Sequence, residues 1–299
     1  MNTWRIRIRP LSPWASPWRS DTIFGSVCWR WRELDPGDFE RVIEEFRTEG
    51  EPPFLLSDAW PGDLLPVPAH VPVQTEAGGD HKKWKPPLYV PELSFRRIAT
   101  GQDRSAQNVI SAIVRPLTRV QTAVDRGIGT AAEGQLFETD CQYLGSGHDS
   151  LSVYVRTDKY LDRLAMCFRA LSLTGYGKKC SSGLGQFELL GEPESCAWLD
   201  TVPKANAFMA LNHFVPAPTD PNDGLWRTHV TFPKFHSGSV RNVFKGAILM
   251  LTPGSVFRTG RAPRAWYGSV IPVPRPEMPN AVHYALCFPA PVVWNEVAA

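Results

Sequence analysis

The sequence predicts an α+β protein, and three observations carry that expectation. The chain opens on a strictly alternating run, apolar stripes at helical spacing recur further on, and the last third holds strand-like runs without a helical stripe. Its 299 residues suffice for one large or two modest domains with a real core. The 28 prolines argue against long helices and for short extended segments joined by loops.

Each element follows from local pattern. Residues 4–9, WRIRIR, put Trp4, Ile6 and Ile8 on one side and Arg5, Arg7 and Arg9 on the other, which predicts a half-buried strand with a basic open face. Three prolines in PLSPWASPWRS stop it. In DTIFGSVCWRWREL, Ile23, Val27, Trp31 and Leu34 recur at helical spacing, with Ser20 or Asp21 as N-cap. DPGDFERVIEEFRTEG gives a second helix through Phe39, Val42, Ile43 and Phe46. From Pro52 to Pro91 the chain reads as loop and short strand, including the polar, basic stretch GGDHKKWKPP. QLFETDCQYLG and SLSVYVRT read as strands on either side of a Gly-Ser-Gly turn. DKYLDRLAMCFRALSL is a helix with Leu161, Leu164, Phe168 and Leu171 on one face, and LGQFELLG returns as a strand.

Strand, helix, strand, strand, helix, strand is the ferredoxin-like (RRM-like) plan. The expected organisation is a ferredoxin-like domain over 1–195, with a long insertion at about 52–118. A second, mostly β, degenerate ferredoxin-like domain would follow over 196–299, with strands in LWRTHVTF, GAILMLTPG and HYALCFPAPV.

Composition narrows the function. The formal charge is only +2, but basic residues gather at Arg5/Arg7/Arg9, Arg30/Arg32, Lys82/Lys83/Lys85, Lys178/Lys179 and Arg258/Arg261/Arg264. Such clusters can take phosphate chains even when the total is balanced. Six cysteines form no C-x-x-C pair and no histidine sits at finger-like spacing, so neither a zinc site nor a disulfide framework is expected. Reduced thiols fit a cytoplasmic protein, and with no run of 18 apolar residues no membrane partner is expected.

The most informative stretch is LTGYGKKCSSGLGQF, residues 173–187, with four glycines around two lysines. A Walker loop and a dinucleotide fingerprint both need other spacings, and both lie between a strand and a helix N-terminus. Here the order is helix, loop, strand, so the loop leaves a helix at its negative end. A phosphate must then be held by loop N–H groups, by Lys178 and Lys179, and by the hydroxyls of Ser181 and Ser182, while Gly175, Gly177, Gly183 and Gly185 admit a close backbone. A helix C-cap at Gly175 followed by a turn accounts for one or two of these glycines.

The loop resembles the glycine-rich loop of the RAMP superfamily of CRISPR proteins. GTAAEGQLF, DTIFGSVCWRW, PPFLLSDAWPGDLLPVP (52–68) and KGAILMLTPGSVF resemble one branch, the crRNA 5′-handle-capping RAMP that is the fourth subunit of type III-A (Csm) effector complexes. The resemblance covers about 1–68, 120–190 and 240–295. It implies a pair of modified ferredoxin-like domains and binding of the repeat-derived 5′ handle of crRNA. It further implies contacts with the large polymerase-like subunit and the backbone RAMP subunits, no cofactor, no metal and no catalysis. PWASPWRS is unusually rich in Trp and Pro for this branch, and GGDHKKWKPP has no counterpart in it.

Single-stranded RNA is held by stacking splayed bases and clamping the backbone. Trp18 and Arg19 are candidates in the loop before the first helix; Ser20, Thr22 and Ser26 are candidates at that helix's start; Arg126 is one in the Gly-flanked VDRGIGTAAEG. Core packing is the alternative for Trp18, and an ordinary surface charge for Arg126. The competing class is a RAMP endoribonuclease. For it, His70, His81, His148, His213, His229, His236 and His283 are dispersed, and Asp21, in the position of a loop aspartate after the first strand, reads better as an N-cap. A nucleotide-binding regulator is a third class, with only the glycine loop to support it.

Overall fold

The computed structural model describes residues 1–48, 50–73, 87–235 and 240–295. All of GGDHKKWKPP except Pro87, and with it His81 and the Lys82/Lys83/Lys85 cluster, lies outside the described residues, as does His236.

The first half runs β1 (Asn2–Pro10), α1 (Ser20–Leu34), α2 (Pro36–Arg47), β2 (Leu55–Pro61), β3 (Leu64–Pro66), β4 (Leu88–Pro91), α3 (Glu92–Ala99) and β5 (Ile110–Ser111). It continues with β6 (Val114–Asp125), β7 (Thr130–Leu144), β8 (Leu151–Thr157), α4 (Leu161–Thr174), β9 (Phe187–Leu189) and β10 (Glu194–Ser195). The remainder holds β11 (Ala207–Ala210), β12 (Gly224–Leu225), β13 (Thr228–Thr231), β14 (Ile248–Leu251), β15 (Val256–Arg258), β16 (Tyr267–Pro272), β17 (Val282–Cys287) and β18 (Pro289–Val292).

The main sheet has the order β10-β1-β8-β2, with β9 also on β1, and every pairing is antiparallel. β1 and β8 run in register from Asn2↔Thr157 to Ile8↔Leu151. α1 and α4 bring Ile23, Val27 and Trp31, and Leu164, Phe168 and Leu171, into one cluster with Ile6 and Ile8, as their spacing requires. That cluster continues without a break into the second half through Ala207, Met209, Tyr284, Phe288 and Val292. The Tyr284 hydroxyl accepts from Leu56 N–H at 2.8 Å, and the buried Asn212 donates to Ser20 Oγ and Leu286 O and accepts from Phe288 N–H.

Three expectations are corrected. QLFETDCQYLG is not a strand of the main sheet; it lies in β7, which pairs with β6 in a long two-stranded arm and bridges Trp14 through Gln142. The strand beside β8 is β2, which sequence reading assigned to an insertion of loop and short strand. It is buried along nearly its whole length and so shows no alternation. The N-cap of α1 is Arg19, not Ser20 or Asp21, and Asp58 accepts from Ser20 N–H at 2.8 Å in place of a capping side chain.

The basic face of β1 is not open. Arg5 bonds Asp63, Glu92 and Glu194; Arg7 bonds Asp63 and Glu194; Arg9 bonds Asp149 and Glu188. Burial opposes the Arg5 charge, but the bond to Glu194, with Tyr154 and Cys196 close by, outweighs it and raises the guanidinium's pKa.

Candidate nucleic-acid interface

The glycine loop leaves α4 at Gly175 and folds back on the segment 12–18. Tyr176 N–H donates to Gly185 O, Gly185 N–H to Pro13 O, and Lys178 N–H to Ser16 Oγ, each at 2.8 Å. Gln186 N–H donates to Ser12 Oγ at 2.9 Å. The Tyr176 ring is fully buried and stacks on Trp18 with centroids 3.7 Å apart, and its hydroxyl donates to Pro17 O at 2.8 Å. Burial pushes that phenol well up, so it stays a neutral donor.

All four loop glycines have positive φ. A Cβ on Gly185 would collide with the Tyr176 carbonyl, one on Gly177 with Ser16, and one on Gly175 with Gln186. Gly185 and Gly177 are therefore required by packing of the protein on itself, at Gly175 the nearest atom is the end of the flexible Gln186 side chain, and Gly183 faces open space. The C-cap accounts for Gly175, and close contact with Ser16 and the Tyr176 carbonyl accounts for Gly177 and Gly185.

What the loop presents outward is Lys178, Ser181, Ser182 and Gly183, all exposed. Lys179 sits at φ 64 with its ammonium 5.1 Å from the centroid of Phe137 on β7. Arg119 on β6 donates to Ser182 O at 3.3 Å, so the arm braces the loop. Arg126 is exposed in the turn of the same arm, between β6 and β7.

The remaining candidates sit differently. Trp18 is a core residue: Tyr176 covers its face and Phe187 meets it edge-on at 5.2 Å, so it does not offer a ring to a base. The start of α1 is a poor place for a phosphate. Asp58 takes Ser20 N–H, Asp21 takes Thr22 N–H, Ser20 is fully buried, and the Ser26 hydroxyl donates to Thr22 O. A second anion there would meet two carboxylates. Burial first, and the Asp58 charge second, push the Asp21 carboxyl above its ordinary range.

Tertiary folding gathers residues that look unrelated along the chain. His213 Nδ1 is 2.6 Å from Asp58 Oδ2, the His229 ring centroid is 5.5 Å from that of His213, and Arg19 bonds His229 Nε2 at 2.8 Å. Burial, then Arg19 and His213, lower the His229 pKa. Sequence reading missed this grouping of His213, His229 and Asp58, because the three lie up to 171 positions apart (229 − 58) and share no motif. Among the described residues no group of His, Cys, Asp and Glu is arranged to hold a metal ion, and no helix is long and apolar enough to cross a membrane.

No protein-family model matches the sequence, and no curated protein matches it. Solved structures do match. A chain of a Csm1–Csm4 cassette in complex with pppApA aligns at TM-score 0.59 and 14% identity, covering 99% of this chain and 100% of that one. A chain of the same cassette in complex with AMPPNP aligns at TM-score 0.57 and 15% identity with equal coverage. A chain of a Csm3–Csm4 subcomplex in the type III-A CRISPR-Cas interference complex aligns at TM-score 0.50 and 14% identity, covering 95% and 99%. Csm4 is the component common to these assemblies. The chain has a Csm4-like fold. At this identity the likeness is one of architecture, and within the Csm4-like fold each site residue must be argued from its own surroundings.

Proposed function

We propose that this chain is a non-catalytic RNA-binding subunit of a type III CRISPR interference complex. It holds the 5′ repeat-derived handle of crRNA and bridges the large polymerase-like subunit to the backbone RAMP subunits, in the cytoplasm. The observation that carries the reading is the end-to-end match in fold to chains of assemblies that share Csm4. At residue level it draws support from a loop that closes on protein contacts while turning Lys178, Ser181 and Ser182 outward. The succession β1, α1, β2, β8, α4, β9 agrees with the β-α-β-β-α-β ferredoxin-like plan, and we retain a division near 195/196 as part of this reading.

The contact set that fits the geometry is Lys178, Lys179, Ser181, Ser182 and the Gly183 backbone, with Arg19 and Arg126 as flanking cations. Replacing Lys178 and Lys179 by Ala removes two phosphate partners. The slope of log affinity against log salt for repeat-handle RNA is expected to fall by about 1.4, at about 0.7 per phosphate on a single strand. The unfolding midpoint should stay where it is. A folded double mutant with unchanged affinity and slope would falsify the loop's role.

A second reading, an RNA endonuclease, is favoured by the grouping of His213, Asp58, His229 and Arg19. Two imidazoles near a guanidinium suit metal-independent attack of a 2′-hydroxyl on its own phosphate, one ring taking the proton and the other supplying it to the leaving oxygen. Incubating the chain with repeat RNA and EDTA decides it: a 2′,3′-cyclic phosphate product that disappears in His213→Ala replaces the non-catalytic reading.

A further inference from the structure

The ribbon of β13 and β14 does not stop at its ladder. Beyond Thr231↔Ile248, Lys245 N–H donates to Pro233 O at 3.0 Å and Phe235 N–H to Val243 O at 2.8 Å, with a bridge between Lys234 and Phe244. Along this end, Phe232 is 68% exposed and Phe244 54% exposed. Cations rest on its rings: Lys234 Nζ is 4.7 Å from the Phe244 centroid, and Lys245 Nζ and Arg275 Cζ are 4.8 and 5.3 Å from that of Phe235. Arg275 also donates to Phe244 O at 2.7 Å.

The charge is one-sided. Segments 232–235, 240–249 and 271–281 carry Lys234, Arg241, Lys245 and Arg275 against one carboxylate, Glu277, which is 4.0 Å from the fully exposed Arg241. Lys245 is the most buried of the four, and burial lowers its pKa while the Asp21 charge partly opposes that shift.

We propose that this ribbon end is a second binding platform for single-stranded RNA, with Phe232 and Phe244 as stacking surfaces and Lys234, Arg241 and Arg275 as backbone contacts. Cation–aromatic pairing by itself is worth about 0.5–1 kcal/mol at exposed sites and explains why Lys234 lies on Phe244. It does not explain a bare Phe232 beside four cations that share one carboxylate, a combination that fits a splayed base and its phosphate. The platform is connected to the glycine loop. Arg19, at the end of the segment that Tyr176 and Lys178 clasp, touches His229 of β13. Lys234 is five residues further along the strand, about 16 Å at about 3.3 Å per residue. An RNA leaving the loop past Arg19 would therefore reach the platform within a few nucleotides.

The inference rests on the handle-binding reading, and the test separates the two. Fluorescence anisotropy is measured with a handle-length oligonucleotide and with the same oligonucleotide extended by about ten single-stranded nucleotides, a length that spans an ordinary binding site. The variant is Phe232→Ala with Lys234→Ala, both exposed. The expected result is about tenfold weaker binding of the extended RNA, from one lost stack and one lost phosphate contact, with handle-length binding unchanged. Should this variant unfold early, Arg241→Ala with Arg275→Ala reads the same platform through its charge, as a salt slope lower by about 1.4 for the extended RNA alone. Equal loss on both RNAs, or no loss on either, overturns the platform and assigns the cations to an acidic protein surface instead. Wild-type protein that binds neither RNA overturns the handle reading as well.

Discussion

Strand β1 and the ribbon end around Lys234 each carry cations on a β-surface, and the molecule treats them in opposite ways. Arg5, Arg7 and Arg9 meet five carboxylates drawn from Asp63, Glu92, Asp149, Glu188 and Glu194, so their charge is spent inside the protein. The cations at the ribbon end meet aromatic rings and one carboxylate. A basic stripe read from sequence says nothing about which of these it will be. The counter-charges of β1 come from residues 56 to 189 positions away (63 − 7 and 194 − 5), and only the fold brings them there.

The contrast between internal and outward roles can be broken most forcefully in the glycine loop itself. Gly185→Ala drives a Cβ into the Tyr176 carbonyl at φ 66, and is expected to cost about 3 kcal/mol or more in denaturant unfolding. Gly183→Ala, at φ 82 but with open space around it, should cost only about 1 kcal/mol. Equal costs would mean that the loop is not held by its clasp on residues 12–18.

Arg5→Ala comes next. It removes one of the two arginines on Glu92, leaving Arg96 in place, and should lower stability by about 1 kcal/mol while leaving RNA affinity untouched. A loss of RNA binding at constant stability would show that β1 faces nucleic acid after all. The Lys178/Lys179 double mutant is the mirror image, with RNA affinity lost and stability kept.

The smallest effect lies in pH. Burial lowers the His70 pKa from 6.5 to about 4, so the folded protein takes up its proton later than the unfolded chain. Its stabilising contribution is complete above pH 6.5 and is lost as pH falls towards about 4. Glu194 acts lower. Burial opposes its charge, but bonding to Arg5 and the charges of Arg5 and Arg7 prevail and hold it below 4.5, so its contribution is lost only as pH falls beneath that value. His70→Gln should flatten the upper window of a stability–pH curve and Arg5→Ala the lower. A single common window would refute the assignment.

Much of this was legible locally. The stripes of α1, α2 and α4 and the alternation of β1 are properties of neighbouring residues, and they appear where the spacing puts them, except that Leu34 at the end of α1 is exposed. β2 was misread because LLSDAWP is buried on both faces and carries no alternation, and α3 was passed over within the insertion because ELSFRRIA is only eight residues long. QLFETDCQYLG was misplaced because a strand pattern does not name its partner. At the site, the outward loop residues were readable from composition, whereas the burial of Trp18 and Ser20 was not.

The sequence by itself determined the elements, the loop of four glycines and two lysines, and the stock of charged and aromatic side chains, because each depends on residues within a few positions of one another. Tertiary structure alone decided which arginines are neutralised, which glycines are obligatory, and that His213, His229, Asp58 and Arg19 meet. The reason is physical: pairing, steric exclusion and burial act over a few ångströms in space, and only the folded chain sets which distant residues come within that range.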